Sequence, residues 1–100
     1  MDRLDHTAIT VSNIDQSVSW YQGSFDCQVL YKTETEAMLE FENVKLQLLL
    51  PSQRPSHLAF RKNDADTYGT LKKNKDGSRS CFISDSTGNL VEVIAFEDED

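Results

Sequence analysis

Hydrophobic and polar positions alternate from His6 to Val11. His6, Ala8 and Thr10 fall on one side, Thr7, Ile9 and Val11 on the other, which is the two-residue period of a strand. The period then lengthens. Ile14, Val18, Tyr21 and Phe25 recur at the spacing of one helix face. Ser12 or Asn13 supplies an N-cap, with Asp15 or Gln16 three places on, and Gly23 marks the predicted helix end. Three strands are expected next, at Gln28–Lys32, Ala37–Glu42 and Val44–Leu50, the last two joined by a tight turn at Glu42-Asn43. Pro51 and Pro55, with serines beside them, close this run.

The second half opens in the same way. His57–Arg61 reads as a strand. Asn63 caps a short predicted helix whose apolar side is Ala65, Tyr68 and Leu71. Lys75-Asp76-Gly77 is a turn, and strands Arg79–Ser84 and Leu90–Phe96 are joined by the turn Asp85–Asn89. The halves look like a repeat. His6-Thr7-Ala8-Ile9 matches His57-Leu58-Ala59-Phe60, and Asp15 matches Asp66, both 51 residues apart, while Gln47 and Glu92 are 45 apart. The shorter offset predicts that the strand after the second helix, near Lys73–Lys75, is vestigial. The expectation is therefore an α+β fold: one domain over residues 1–100 made of two βαβββ modules, about 1–51 and about 52–100, the second trimmed.

Strand parity then sorts the chemistry. The more apolar face of each strand is expected under a helix. The opposite face carries His6, Gln47, His57 and Glu92, at matched ends of four strands. Two imidazoles and one carboxylate form a metal-binding set, and Gln47 offers a fourth, neutral oxygen. The alternative is that the two His are partly buried polar residues satisfied by hydrogen bonds. No thiolate joins the set, so Mn, Fe, Ni, Co or Zn all remain open.

Charge and composition narrow the partners. Ten Lys+Arg against seventeen Asp+Glu give a net charge of −7, which disfavours a nucleic-acid partner. Four of the acids form the tail Glu97–Asp100, expected to be solvated and frayed. The basic cluster Lys72, Lys73, Lys75 and Arg79 reads as a solvated helix end or an anion site. No apolar run approaches the roughly 18 residues of a membrane span, and the N-terminus lacks a leader pattern. With two cysteines, Cys27 and Cys81, expected as strand residues, the default compartment is the cytosol. Trp20 and Tyr21 read as a helix–sheet or subunit contact, and Arg54 and Arg61 as groups able to meet a substrate carboxylate or phosphate.

These residues together resemble the vicinal oxygen chelate superfamily, which includes glyoxalase I, methylmalonyl-CoA epimerase, fosfomycin-resistance enzymes, extradiol dioxygenases and bleomycin-resistance proteins. The resemblance runs from Leu4 to Phe96. It is carried by Asp5 to Val11 with Asp15, Ser17, Trp20 and Tyr21, by Ser56 to Phe60, and by Asp76-Gly77-Ser78, Ser80, Phe82, Asp85 and Gly88-Asn89-Leu90-Val91-Glu92. It implies two modules forming a cupped sheet around one divalent ion, with His6, Gln47, His57 and Glu92 as ligands. A His-Gln-His-Glu set is similar to that of methylmalonyl-CoA epimerase.

The resemblance further implies a glyoxalase-like enzyme that chelates vicinal oxygens of a small metabolite, or else a non-catalytic protein that sequesters a small molecule. A homodimer is expected, since family members often share the cup between chains. Phe82 stands where many relatives carry a Tyr, so it offers the pocket a hydrophobic wall, with Arg61 at the rim. Proton transfer needs a base, and Glu40 is the acid placed on Gln47's face. Opposite Lys45 across a tight hairpin, Glu40 reads first as half of a cross-strand ion pair and only second as that base.

Overall fold

The computed structural model describes residues 1–97 of the chain and divides into two compact units. One runs from His6 to Ser56; the other joins Met1–Asp5 to the chain from His57 onward. Strand β1 (Arg3–Thr10) passes from one unit into the other at the Asp5–His6 peptide bond. Of the acidic tail expected to be solvated, only Glu97 falls within the described residues.

In the His6–Ser56 unit, β1 is followed by helix α1 (Ile14–Ser24) and strands β2 (Gln28–Lys32), β3 (Glu36–Glu40) and β4 (Lys45–Leu49). Their order is β2-β3-β4-β1, with β4 parallel to β1 and the other pairs antiparallel. Of the two N-cap candidates, Asn13 is the one used. Its backbone is extended and its Oδ1 accepts the Gln16 N–H at 2.8 Å. The helix continues one residue past Gly23, whose φ is not positive, and ends at Phe25, whose N–H donates to the Tyr21 carbonyl at 2.9 Å. A left-handed glycine cap is therefore not what stops it. Ile14 and Val18 bury one face of α1 against Ala37, Leu39 and Leu48, with Tyr21 packed at the margin. Phe25, though in phase, is 54% exposed.

The second unit contains β5 (His57–Arg61), a 3-10 turn (Ala65–Thr67), β6 (Lys72–Lys73), β7 (Arg79–Ser84) and β8 (Leu90–Ala95). The order β5-β8-β7-β6 repeats the first unit's pattern, again with first and last strands parallel. The vestigial strand is present as the two-residue β6.

The expected second helix is not formed. One 3-10 turn stands in its place, preceded by Asp64 without a side-chain cap bond, and Asn63 caps nothing. The physical reason is local: Asp66-Thr67-Tyr68-Gly69-Thr70 are weak helix formers, and so short a segment cannot repay nucleation. The turn buries only Ala65, against Cys81 and Val93. Leu58, which a longer helix would cover, is 43% exposed. The basic cluster is likewise relocated: Lys72 and Lys73 form the edge strand and Arg79 starts β7, so no helix end is involved.

Two glycines are required by their turns. Gly77 between β6 and β7 and Gly88 between β7 and β8 have φ of 89° and 94°. In the latter turn Asp85 accepts the Thr87 and Asn89 N–H groups and the Asn89 amide, at 2.8–2.9 Å. These bonds, the Asn89 side chain foremost, hold its carboxyl down at about 2.

Candidate metal centre

The two units repeat one register. In the first, Ala8 on β1 lies opposite Gln47 on β4. In the second, Ala59 on β5 lies opposite Glu92 on β8. A histidine stands two residues before each alanine, so His6 shares a face with Gln47, and His57 with Glu92. All four are buried. Strand alternation thus does for each module what the sequence repeat implies.

In the second unit the pair is close. His57 Nε2 and Glu92 Oε1 lie 3.3 Å apart, on side chains 0% and 3% exposed. The two atoms do not have the alignment of a hydrogen bond to each other. Phe82 lies opposite Glu92 across β7–β8 and meets the His57 ring edge-on at 5.2 Å, as a half-exposed apolar wall. Cys81, on the other face of β7, has its thiol pushed up by burial and then by the Glu92 charge, so it stays protonated and unreactive.

In the first unit Gln47 is anchored by one end only. Its Nε2 donates to Tyr31 Oη at 3.3 Å, while its Oε1 is buried without a hydrogen-bond partner. A buried amide oxygen of that kind suits a cation ligand. His6, His57 and Glu92 are likewise buried residues that could hold a metal ion. Two imidazoles and a carboxylate are donors that fit a divalent transition ion.

The other candidates are placed as follows. Glu40 lies on Gln47's face, is exposed, and stands directly opposite Lys45. Arg61 ends β5, where its Nη2 meets Asp5 Oδ1 at 3.1 Å and its guanidinium lies 4.0 Å over the Phe96 ring. Trp20 is exposed and packs edge-on against Tyr21 and Phe25. Cys27 lies in the link after α1 rather than in a strand, Cys81 is in β7, and both are free thiols. Sequence reasoning missed Tyr31, whose only sequence signal was a polar aromatic in the edge strand β2.

The chain matches the family model of the Glyoxalase/Bleomycin resistance protein/Dioxygenase superfamily over residues 3–93, and it belongs to that superfamily. Among solved structures it resembles a hypothetical protein from Bacillus halodurans C-125, at 19% identity and a TM-score of 0.78, covering 99% of this chain and 97% of that one. A methylmalonyl-CoA epimerase from Streptomyces coelicolor, in complex with 2-nitronate-propionyl-CoA, is similar at 21% identity and a TM-score of 0.78, covering 95% and 97%. A superfamily member from Vibrio splendidus 12B01 is similar at 14% identity and a TM-score of 0.72, covering 95% and 99%. No protein of curated function matches the sequence significantly. No helix among the described residues is long and apolar enough to cross a membrane.

Proposed function

We propose that this chain is a metal-dependent enzyme of the glyoxalase kind, with one divalent ion held by His6, His57 and Glu92 and with Gln47 as fourth ligand. The observation that carries the reading is the repeated register, which buries a His and an oxygen donor on one face of each module. The buried group His6, His57 and Glu92, which could hold a metal ion, supports the ligand assignment. Bound there, the ion would act as a Lewis acid toward two neighbouring oxygens of a small substrate. With Glu92 as the one anionic ligand the site would stay near +1, which selects anionic or polarised oxygens. Phe82 walls the pocket, Arg61 lies at its rim, and Glu40 is the acid on hand to take a proton. The epimerases among the similar structures hold acyl-CoA ligands, which supports an acyl thioester or an oxygenated carbonyl compound as substrate class.

The working form is a homodimer in the cytosol. A 100-residue chain gains stability from a shared interface, and two free thiols suit a reducing compartment.

One observation favours a second reading, a binding protein that sequesters a small molecule without turnover. Glu40 is exposed and faces Lys45, and Phe82 brings no hydroxyl, so acid–base equipment is thin. The test is elemental analysis of untagged protein, with His57→Ala and Glu92→Gln alongside. One equivalent of a divalent metal, lost in both folded variants, is expected. Protein that carries no metal and takes up none at micromolar concentration would overturn the proposal. Ligand affinity that survives in metal-free His57→Ala would favour sequestration.

A further inference from the structure

The pairing of β2 with β3 slips by one residue along its length. Gln28 and Val29 lie opposite Glu40 and Leu39, but Tyr31 and Lys32 lie opposite Met38 and Ala37. Leu30 is the extra residue of a β-bulge and is left 48% exposed. The bulge decides which way Tyr31 points. Under the register of Gln28 and Val29, Tyr31 would fall opposite Ala37, on the face that Ala37 and Leu39 bury under α1. One inserted residue moves it to the other face, opposite Met38, which in turn lies opposite Gln47.

There Tyr31 joins a hydrogen-bonded chain with a defined direction. Its hydroxyl donates to Glu36 Oε1 at 3.0 Å and accepts from Gln47 Nε2 at 3.3 Å. An ionised carboxylate only accepts, so the single phenolic proton is committed to Glu36. The phenol oxygen then presents lone pairs to Gln47, and only the NH2 end of the amide can meet them. The amide oxygen must therefore point the other way, where Oε1 is buried without a hydrogen-bond partner. With the amide turned over, Oε1 would face the lone pairs of Tyr31 and two N–H groups would face any cation.

We infer that Glu36 and Tyr31 are positioning residues that fix Gln47 as an oxygen donor toward a divalent cation, and that the Leu30 bulge exists to bring Tyr31 to that task. The inference rests on the metal reading proposed above. It also accounts for an asymmetry between the modules. Glu92, the register equivalent of Gln47, has two like oxygens and needs no orientation. In that module the strand equivalent to β2 has shrunk to Lys72–Lys73, with no tyrosine to offer.

The test is Co(II) titration of the full chain, followed by the visible absorption of the bound ion. It uses wild type, Tyr31→Phe, Glu36→Gln, Gln47→Glu and the double variant Gln47→Glu/Tyr31→Phe. Loss of an outer partner of a metal ligand costs about 10-fold or more in affinity. Tyr31→Phe is accordingly expected to weaken Co(II) about tenfold and to alter its spectrum, with a smaller loss for Glu36→Gln, which can still hydrogen-bond Tyr31. The rescue is decisive: a carboxylate at position 47 needs no orienting, so the double variant should bind Co(II) as Gln47→Glu does. Tyr31→Phe binding like wild type, or the double variant losing as much as the single, would overturn the inference while leaving the metal site standing. Should Tyr31→Phe not fold, an unchanged Co(II) affinity and spectrum in Glu36→Gln would overturn it. A wild-type chain that takes up no Co(II) would overturn the site and the inference together.

Discussion

His57 Nε2 lies 3.3 Å from Glu92 Oε1 in an interior where neither side chain has appreciable contact with water. A carboxylate so placed is costly to hold ionised unless a cation or strong donors compensate it. Metal removal should therefore lower stability. A divalent ion at a hundred times its dissociation constant would add about 2.7 kcal/mol, which for a domain of this size raises Tm by roughly 10 °C or more. Melting with and without a chelator measures the difference. Glu92→Gln should abolish the shift while leaving the metal-free Tm close to wild type. An equal shift in that variant would mean that the ion binds elsewhere.

Leu48 is fully buried beneath α1, whereas Leu58 is 43% exposed where a longer helix would have covered it. Leu48→Ala should cost about 2–5 kcal/mol, and Leu58→Ser should stay within about 0.5 kcal/mol of wild type. Urea unfolding midpoints compare the two. A large loss in Leu58→Ser would show that a partner surface buries that residue in solution.

The start of α1 rests on Asn13, whose Oδ1 accepts the Gln16 N–H. Asn13→Ala should remove about 1 kcal/mol, and Asn13→Asp should retain most of it. Measured by denaturation at neutral pH, equal losses in both would assign the effect to something other than the cap.

Asp85 gives a pH prediction with a definite sign. Its folded carboxyl is held at about 2 by Asn89 and the Thr87 and Asn89 N–H groups, below the roughly 3.9 of an unfolded Asp. A depressed folded value contributes stability that is fully present above the unfolded value. That contribution is lost as pH falls from about 4 toward 2. Asp85→Ala should thus be less stable than wild type at pH 6, and the gap should narrow by pH 2.5. A gap independent of pH would refute the assignment.

Much of this fold is legible in the sequence because the strands alternate cleanly. His57–Arg61 and Arg79–Ser84 have their observed bounds, and His6, Gln47, His57 and Glu92 fall on the faces that parity assigns. Two features are not legible, for different reasons. The second helix reads well as a pattern of Ala65, Tyr68 and Leu71, but three apolar positions do not outweigh weak propensity and nucleation cost. The Leu30 bulge leaves no mark, because Gln28–Lys32 contains neither Gly nor Pro and looks like an even strand. Arg61 illustrates a third limit. Parity places it near the site, but the fold brings Asp5 against its guanidinium, a pairing that no sequence period marks.

Trimming the second module left a sheet margin of two lysines, Lys72 and Lys73, where the first module ends in a five-residue strand broken by a bulge. A strand on the outside of a sheet exposes unpaired N–H and C=O groups that a second chain can zip onto. Two ammonium groups on so short a strand repel a like copy and leave it almost nothing to pair with. The lysines that read in the bare sequence as a solvated helix end or an anion site are thus edge residues of a sheet, where their charge and the strand's shortness discourage strand-to-strand pairing with another copy.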